Sequence, residues 1–66
     1  MNTKRHKKLY ESASHLDFKL IAVHLPSTRT LYYRVIEVNV GQVFFGTNKE
    51  CLGFCAGVAH ERGVTL

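Results

Sequence analysis

Leu31-Tyr32-Tyr33-Arg34-Val35-Ile36-Glu37-Val38-Asn39-Val40 is the stretch that decides how this chain is read. β-Branched and aromatic side chains dominate it; they suit a pleated, half-buried surface, and several lose rotamer freedom in a helix. The composition predicts a strand over 31–40. Successive strand residues face opposite ways, so Tyr32, Ile36, Val38 and Val40 share one side while Leu31, Tyr33 and Val35 share the other. Both sides are apolar.

Upstream of this strand, Pro26-Ser27-Thr28 supplies a fixed φ and small polar side chains, which is turn chemistry. Before the turn, Leu16, Phe18 and Leu20 alternate with Asp17 and Lys19, and the run becomes almost wholly apolar by Leu25. That predicts a strand over 16–25. Downstream, Asn39, Gly41 and Gln42 make a short connection to Val43-Phe44-Phe45, a third strand over 43–46. Connections this short join antiparallel hairpins.

Thr47-Asn48-Lys49-Glu50 is a capping box: the Thr47 hydroxyl can accept from the Glu50 N–H while the Glu50 carboxylate reaches back. It predicts a helix over 48–62 whose apolar positions Cys51, Phe54, Cys55, Val58 and Ala59 form one buried stripe. Arg62 suits the negative end of the helix dipole, and Gly63 can take the left-handed conformation that closes a helix. The expected fold is α+β, a three-stranded antiparallel sheet packed against one C-terminal helix. At the other end, Leu9, Tyr10, Ala13 and Leu16 recur at roughly helical spacing, enough for one or two turns. Residues 1–8 are polar or charged after Met1 and read as a flexible basic arm ahead of a single domain over 9–66. One helix covers one face of a sheet. The second apolar face is covered by residues 9–16, or else it is a surface for a second copy or a partner protein, where tyrosines are common.

A chain of 66 residues buries only roughly 60% of its unfolded surface, so its core is thin and its stability leans on a partner or second copy. Cys51 and Cys55 lie too close in sequence to close a long loop by a disulfide. The charged start at Met1–Tyr10 is not followed by the apolar run of a signal peptide, and no stretch approaches the roughly 18 apolar residues of a membrane span. A cytoplasmic protein with reduced thiols and no membrane contact is expected. The net charge of +4 rests on the arm: Lys4, Arg5, Lys7 and Lys8 are in excess, whereas Lys19, Arg29, Arg34, Lys49 and Arg62 are balanced by Glu11, Asp17, Glu37, Glu50 and Glu61.

No spacing in the chain defines a catalytic centre. There is no nucleophile elbow, no close carboxylate pair and no acid spaced to orient a histidine. Cys51 and Cys55 sit one helical turn apart on the apolar stripe, which is not the knuckle that zinc requires, and burial there raises a thiol pKa. Gly41 to Thr47 lacks the lysine of a phosphate-binding loop. No enzyme activity, metal, cofactor or small-molecule substrate is expected. Gly53 and Gly57 cost the helix about 1 kcal/mol each relative to alanine, which implies close approach of another group to that side.

Tyr33-Arg34-Val35, then Phe45-Gly46-Thr47-Asn48-Lys49-Glu50-Cys51, with Gly63 closing the helix, resembles the sheet-plus-helix module of AP2-type and integrase arm-binding domains. The likeness covers about half the chain, and the same outline resembles small phage proteins that bind host enzymes. Neither resemblance assigns a functional residue. The expected function is a small non-enzymatic binding protein, regulator or inhibitor in type, docking on a partner protein or a second copy through Tyr32, Tyr33, Arg34, Gly53 and Gly57. The alternative is nucleic-acid binding through Lys4, Arg5, Lys7, Lys8, Lys19, Arg29 and Arg34, with phosphates met by the arm and the sheet.

Overall fold

The computed structural model describes residues 6–27 and 29–66. In chain order these form α1 (Lys7–His15), β1 (Phe18–His24), β2 (Leu31–Glu37), β3 (Gly41–Thr47) and α2 (Asn48–Arg62). The strands make one antiparallel sheet in the order β1-β2-β3, so each pairs with its neighbour in sequence.

β2 stops at Glu37, short of the expected Val40. Residues 38–40 form a turn in which the Val40 N–H donates to the Glu37 carbonyl at 3.1 Å. Asn39 has φ 76° and Gly41 φ 107°, a region that Gly enters freely and Asn at small cost. This turn chemistry outweighs the strand preference of Val38 and Val40, which stand exposed. A register shift follows: Val35 opposes Phe44 but Ile36 opposes Gln42, so Val43 is the extra residue of a β-bulge.

α2 has the bounds and both end signals that its sequence predicts. The Thr47 N–H donates to Glu50 Oε1 at 2.8 Å, and the Glu50 N–H donates to Thr47 Oγ1 at 3.3 Å. At the far end Gly63 has φ 70°, and the Val64 N–H reaches the Ala59 carbonyl at 2.8 Å, the bond of a Schellman motif.

α1 is longer than the one or two turns expected over 9–16, and it begins inside the expected arm. Lys7 and Lys8 are helical, and Lys7 lies 3.7 Å from Glu11 one turn on. His6 turns the chain into the helix at φ 58°, and its Nδ1 lies 2.7 Å from the Tyr33 hydroxyl. Arg62 ties the far end of α1 to the rest. Its guanidinium donates to the Leu16 carbonyl at 3.2 Å and to Glu37 Oε2 at 3.3 Å, and it sits 5.4 Å from the Phe18 ring centroid.

The placement of α1 settles which face of the sheet is covered. Leu9, Ala13 and Leu16 share a core with Phe18, Tyr33, Val35, Cys51, Cys55 and Ala59. α1 thus lies beside α2 on the Tyr33 and Val35 side, and it does not fold across the second face. The Leu9 side chain is wholly buried, a contribution of about 1.5–3 kcal/mol from transfer alone. Tyr33 belongs to this core too, only 2% exposed. Contrary to expectation it does not stand on an open face: it has the same parity as Val35, and Tyr10 packs edge-on against its ring at 5.8 Å.

Candidate docking face

With both helices on one side, no element among the described residues covers the other side of the sheet. Directly paired strand residues share a face, and the register therefore lays out three rows: Val23–Tyr32–Thr47, Ile21–Arg34–Phe45 and Lys19–Ile36–Gln42. Arg34 is the central position. Its Nε donates to Gln42 Oε1 at 2.7 Å, which holds the guanidinium against the sheet. Tyr32 and Phe45 stack across the strands with centroids 5.5 Å apart and planes within 8°. Ile21 and Phe45 are 46% and 44% exposed, high values for side chains of that size.

The electrostatics of the face are one-sided. Among the described residues, these rows carry two cations, Lys19 and Arg34, and no carboxylate. Glu37 points to the helical side, where it meets Arg62. Arg34 therefore stands among Ile21, Ile36, Tyr32 and Phe45 with only a neutral side-chain partner. Arg and Tyr at the middle of an apolar patch are the residue types that dominate binding energy at protein interfaces.

Of the residues marked out by sequence, Tyr32, Arg34 and Lys19 meet on this face. The others lie elsewhere. Tyr33 is in the core, and Lys7 and Lys8 project from α1 in the helical layer. Arg29 stands exposed in the β1–β2 connection, while Lys4 and Arg5 lie outside the described residues. The basic residues that are described do not gather into one patch.

Gly53 and Gly57 are on the side of α2 opposite its buried stripe of Cys51, Cys55 and Ala59. A Cβ built on either meets nothing within 4 Å, so no close approach among the described residues requires them. The glycine with a steric role is Gly46, whose added Cβ would lie 2.6 Å from Glu50 Oε1 and 3.1 Å from the Phe44 ring. Sequence reasoning gave Gly46 no packing role and did not place Ile21, Val23, Gln42 and Phe45 on the candidate face. Register was the missing information for these last four.

Cys51 and Cys55 are fully buried free thiols, and desolvation pushes both above the ordinary thiol range. For Cys51 the neighbouring Cys55 adds to the rise, and its Sγ lies 3.5 Å from the Gly46 carbonyl. Among the described residues, no three His, Cys, Asp or Glu side chains gather as metal ligands, and no helix is long and apolar enough to cross a membrane.

Comparison with protein-family models, with curated proteins and with solved structures finds no match to this chain.

Proposed function

We propose that this chain is a small non-enzymatic binding module, regulator or inhibitor in type, that docks on a partner protein in the cytoplasm through the open face of its sheet. The observation that carries this reading is the placement of α1 and α2 on the same side, which leaves Ile21, Tyr32, Ile36 and Phe45 without a cover among the described residues. A small domain gains by burying such a surface against a partner. The fully buried, raised-pKa thiols agree with a structural role for Cys51 and Cys55 in a reducing compartment.

A second reading draws on the same face: Lys19 and Arg34 beside two exposed aromatic rings can serve a single-stranded nucleic acid. Against it, the rings of Tyr32 and Phe45 stack on each other, and two cations release few counterions. Affinity capture with the full chain at about 0.5 M salt, where surface charges are screened, separates the two. A protein retained by the wild type and lost from a folded Phe45→Asp variant is the expected result. Equal retention by both removes the face from the function. Capture only of nucleic acid, released as salt rises, replaces the first reading with the second.

A further inference from the structure

We infer that the partner meets this face with a carboxylate set among apolar side chains, an acidic and apolar protein segment whose Asp or Glu is received by Arg34. The inference rests on the docking reading above and names the chemistry of the partner.

Three features of the face carry it. Arg34 is central, and its Nε bond to Gln42 orients the guanidinium while its two terminal nitrogens make no hydrogen bond among the described residues. A guanidinium fork of this kind matches a carboxylate in two parallel bonds. Removing it from water beneath an apolar partner carries a desolvation cost that only an opposite charge offsets.

Charge complementarity also decides against a second copy as occupant. A two-fold axis through the centre of the rows sets Arg34 against Arg34, with Lys19 nearby and no carboxylate on the face to compensate. Size points the same way. Strands ~4.8 Å apart rising ~3.3 Å per residue give a grid of roughly 10 by 13 Å between its outer Cα positions. A standard interface takes about 20–30 residues a side, more than these rows contain. The face fits a short segment better than the broad patch of an obligate dimer. The aliphatic members Ile21, Val23 and Ile36 favour apolar side chains over phosphates as the carboxylate's surroundings.

The test is selection of random twelve-residue peptides, displayed on particles, against the immobilised full chain. Enriched peptides are expected to carry Asp or Glu flanked by aliphatic or aromatic residues. Binding of a representative peptide should fall roughly 10- to 150-fold in Arg34→Gln, the range of one charge-assisted hydrogen bond. Changing the peptide's acid to its amide should cost as much, and the two changes together little more than one. Arg34→Lys should restore part of the affinity, since it keeps the charge and loses the fork. Circular dichroism and thermal midpoint confirm that each variant is folded.

Peptides that lose binding in Ile21→Asp yet lack an acid, or ignore Arg34→Gln, overturn the acidic partner and leave the docking face standing. Peptides indifferent to both substitutions, or no enrichment at all, overturn the docking face itself. A wild-type dimer in sedimentation equilibrium that Ile21→Asp dissociates replaces the segment with a second copy. Salt-sensitive binding of an oligothymidylate, lost in Arg34→Gln, replaces it with nucleic acid.

Discussion

Gly46→Ala is the substitution whose effect follows most directly from the geometry. A Cβ at this position would lie 2.6 Å from Glu50 Oε1, 3.0 Å from Glu50 Cβ and 3.1 Å from Phe44 Cε2. The Glu50 carboxylate can swing away, but that same oxygen accepts the Thr47 N–H at 2.8 Å and forms half of the α2 capping box. Giving it up costs about 1 kcal/mol. Phe44 has less freedom, because its ring is stacked on Phe54 at 4.7 Å, and crowding of this kind adds about 1 kcal/mol or more. The expected total is about 2–3 kcal/mol. In a domain this small that lowers the thermal midpoint by roughly 8–24 °C. Urea and thermal unfolding of the full chain, followed by circular dichroism, measure it. Glu50→Ala should itself cost about 1 kcal/mol and should relieve part of the Gly46→Ala penalty, giving a coupling of about 1 kcal/mol. Stability within about 0.5 kcal/mol of wild type for Gly46→Ala, or the same penalty in both backgrounds, would refute the reasoning.

The outward glycines should behave in the opposite way. Gly53→Ala and Gly57→Ala meet no neighbour and should each stabilise the chain by up to about 1 kcal/mol in urea unfolding; destabilisation would mean that something crosses that side of α2. Arg62→Ala removes a carbonyl contact, an ion pair and a ring contact at once and should cost about 1–2 kcal/mol, against under about 0.5 kcal/mol for Glu37→Gln at a half-exposed pair. Equal losses for the two would assign the effect to the ion pair alone. The raised thiol pKa values set a pH trend. Folded Cys51 and Cys55 hold their protons to higher pH than the unfolded chain does, so their contribution is intact below the ordinary thiol pKa of about 8.5 and declines above it. The urea midpoint should therefore drop more between pH 7.5 and 9.5 in the wild type than in a Cys51→Ala, Cys55→Ala variant; parallel curves would contradict this.

Local chemistry was legible in the sequence, and tertiary choices were not. The capping box at Thr47 and the glycine at 63 are local signals, and α2 occupies residues 48–62 as read. The strands were recognisable, but their ends depended on competition within a few residues. At Val38-Asn39-Val40 two β-branched residues extend the pattern while Asn39 and Gly41 reverse the chain, and the turn wins. Alternation divided β2 into two faces and could not say which was inward. Tyr32 and Tyr33 are chemically identical neighbours, and only the arrival of both helices on one side makes Tyr33 core and Tyr32 surface. The sparse stripe of α1, with Leu9, Ala13 and Ser12 as its buried positions, carries no mark of the face it will cover. Ile21 and Phe45 entered the candidate site through pairing with Arg34, a relation between strands that no single strand displays.

Because strand order equals chain order, the sheet assembles from adjacent hairpins, and the pairing of α1 with α2 is the contact that closes the longest loop. Loop closure of this kind is slow to form and early to open. α1 is held by a short list of side chains, chiefly Leu9, Ala13 and Leu16, with His6 and Arg62 at its ends. Its detachment would leave the β2 ladders intact, so the expected sub-global opening is one in which α1 swings free while the sheet persists. Amide hydrogen exchange should then rank α1 well ahead of β2, the one strand paired on both sides. While α1 is away, α2 still packs on β2 and β3, and the part of the core that meets solvent for that interval is the edge that α1 shares with β1.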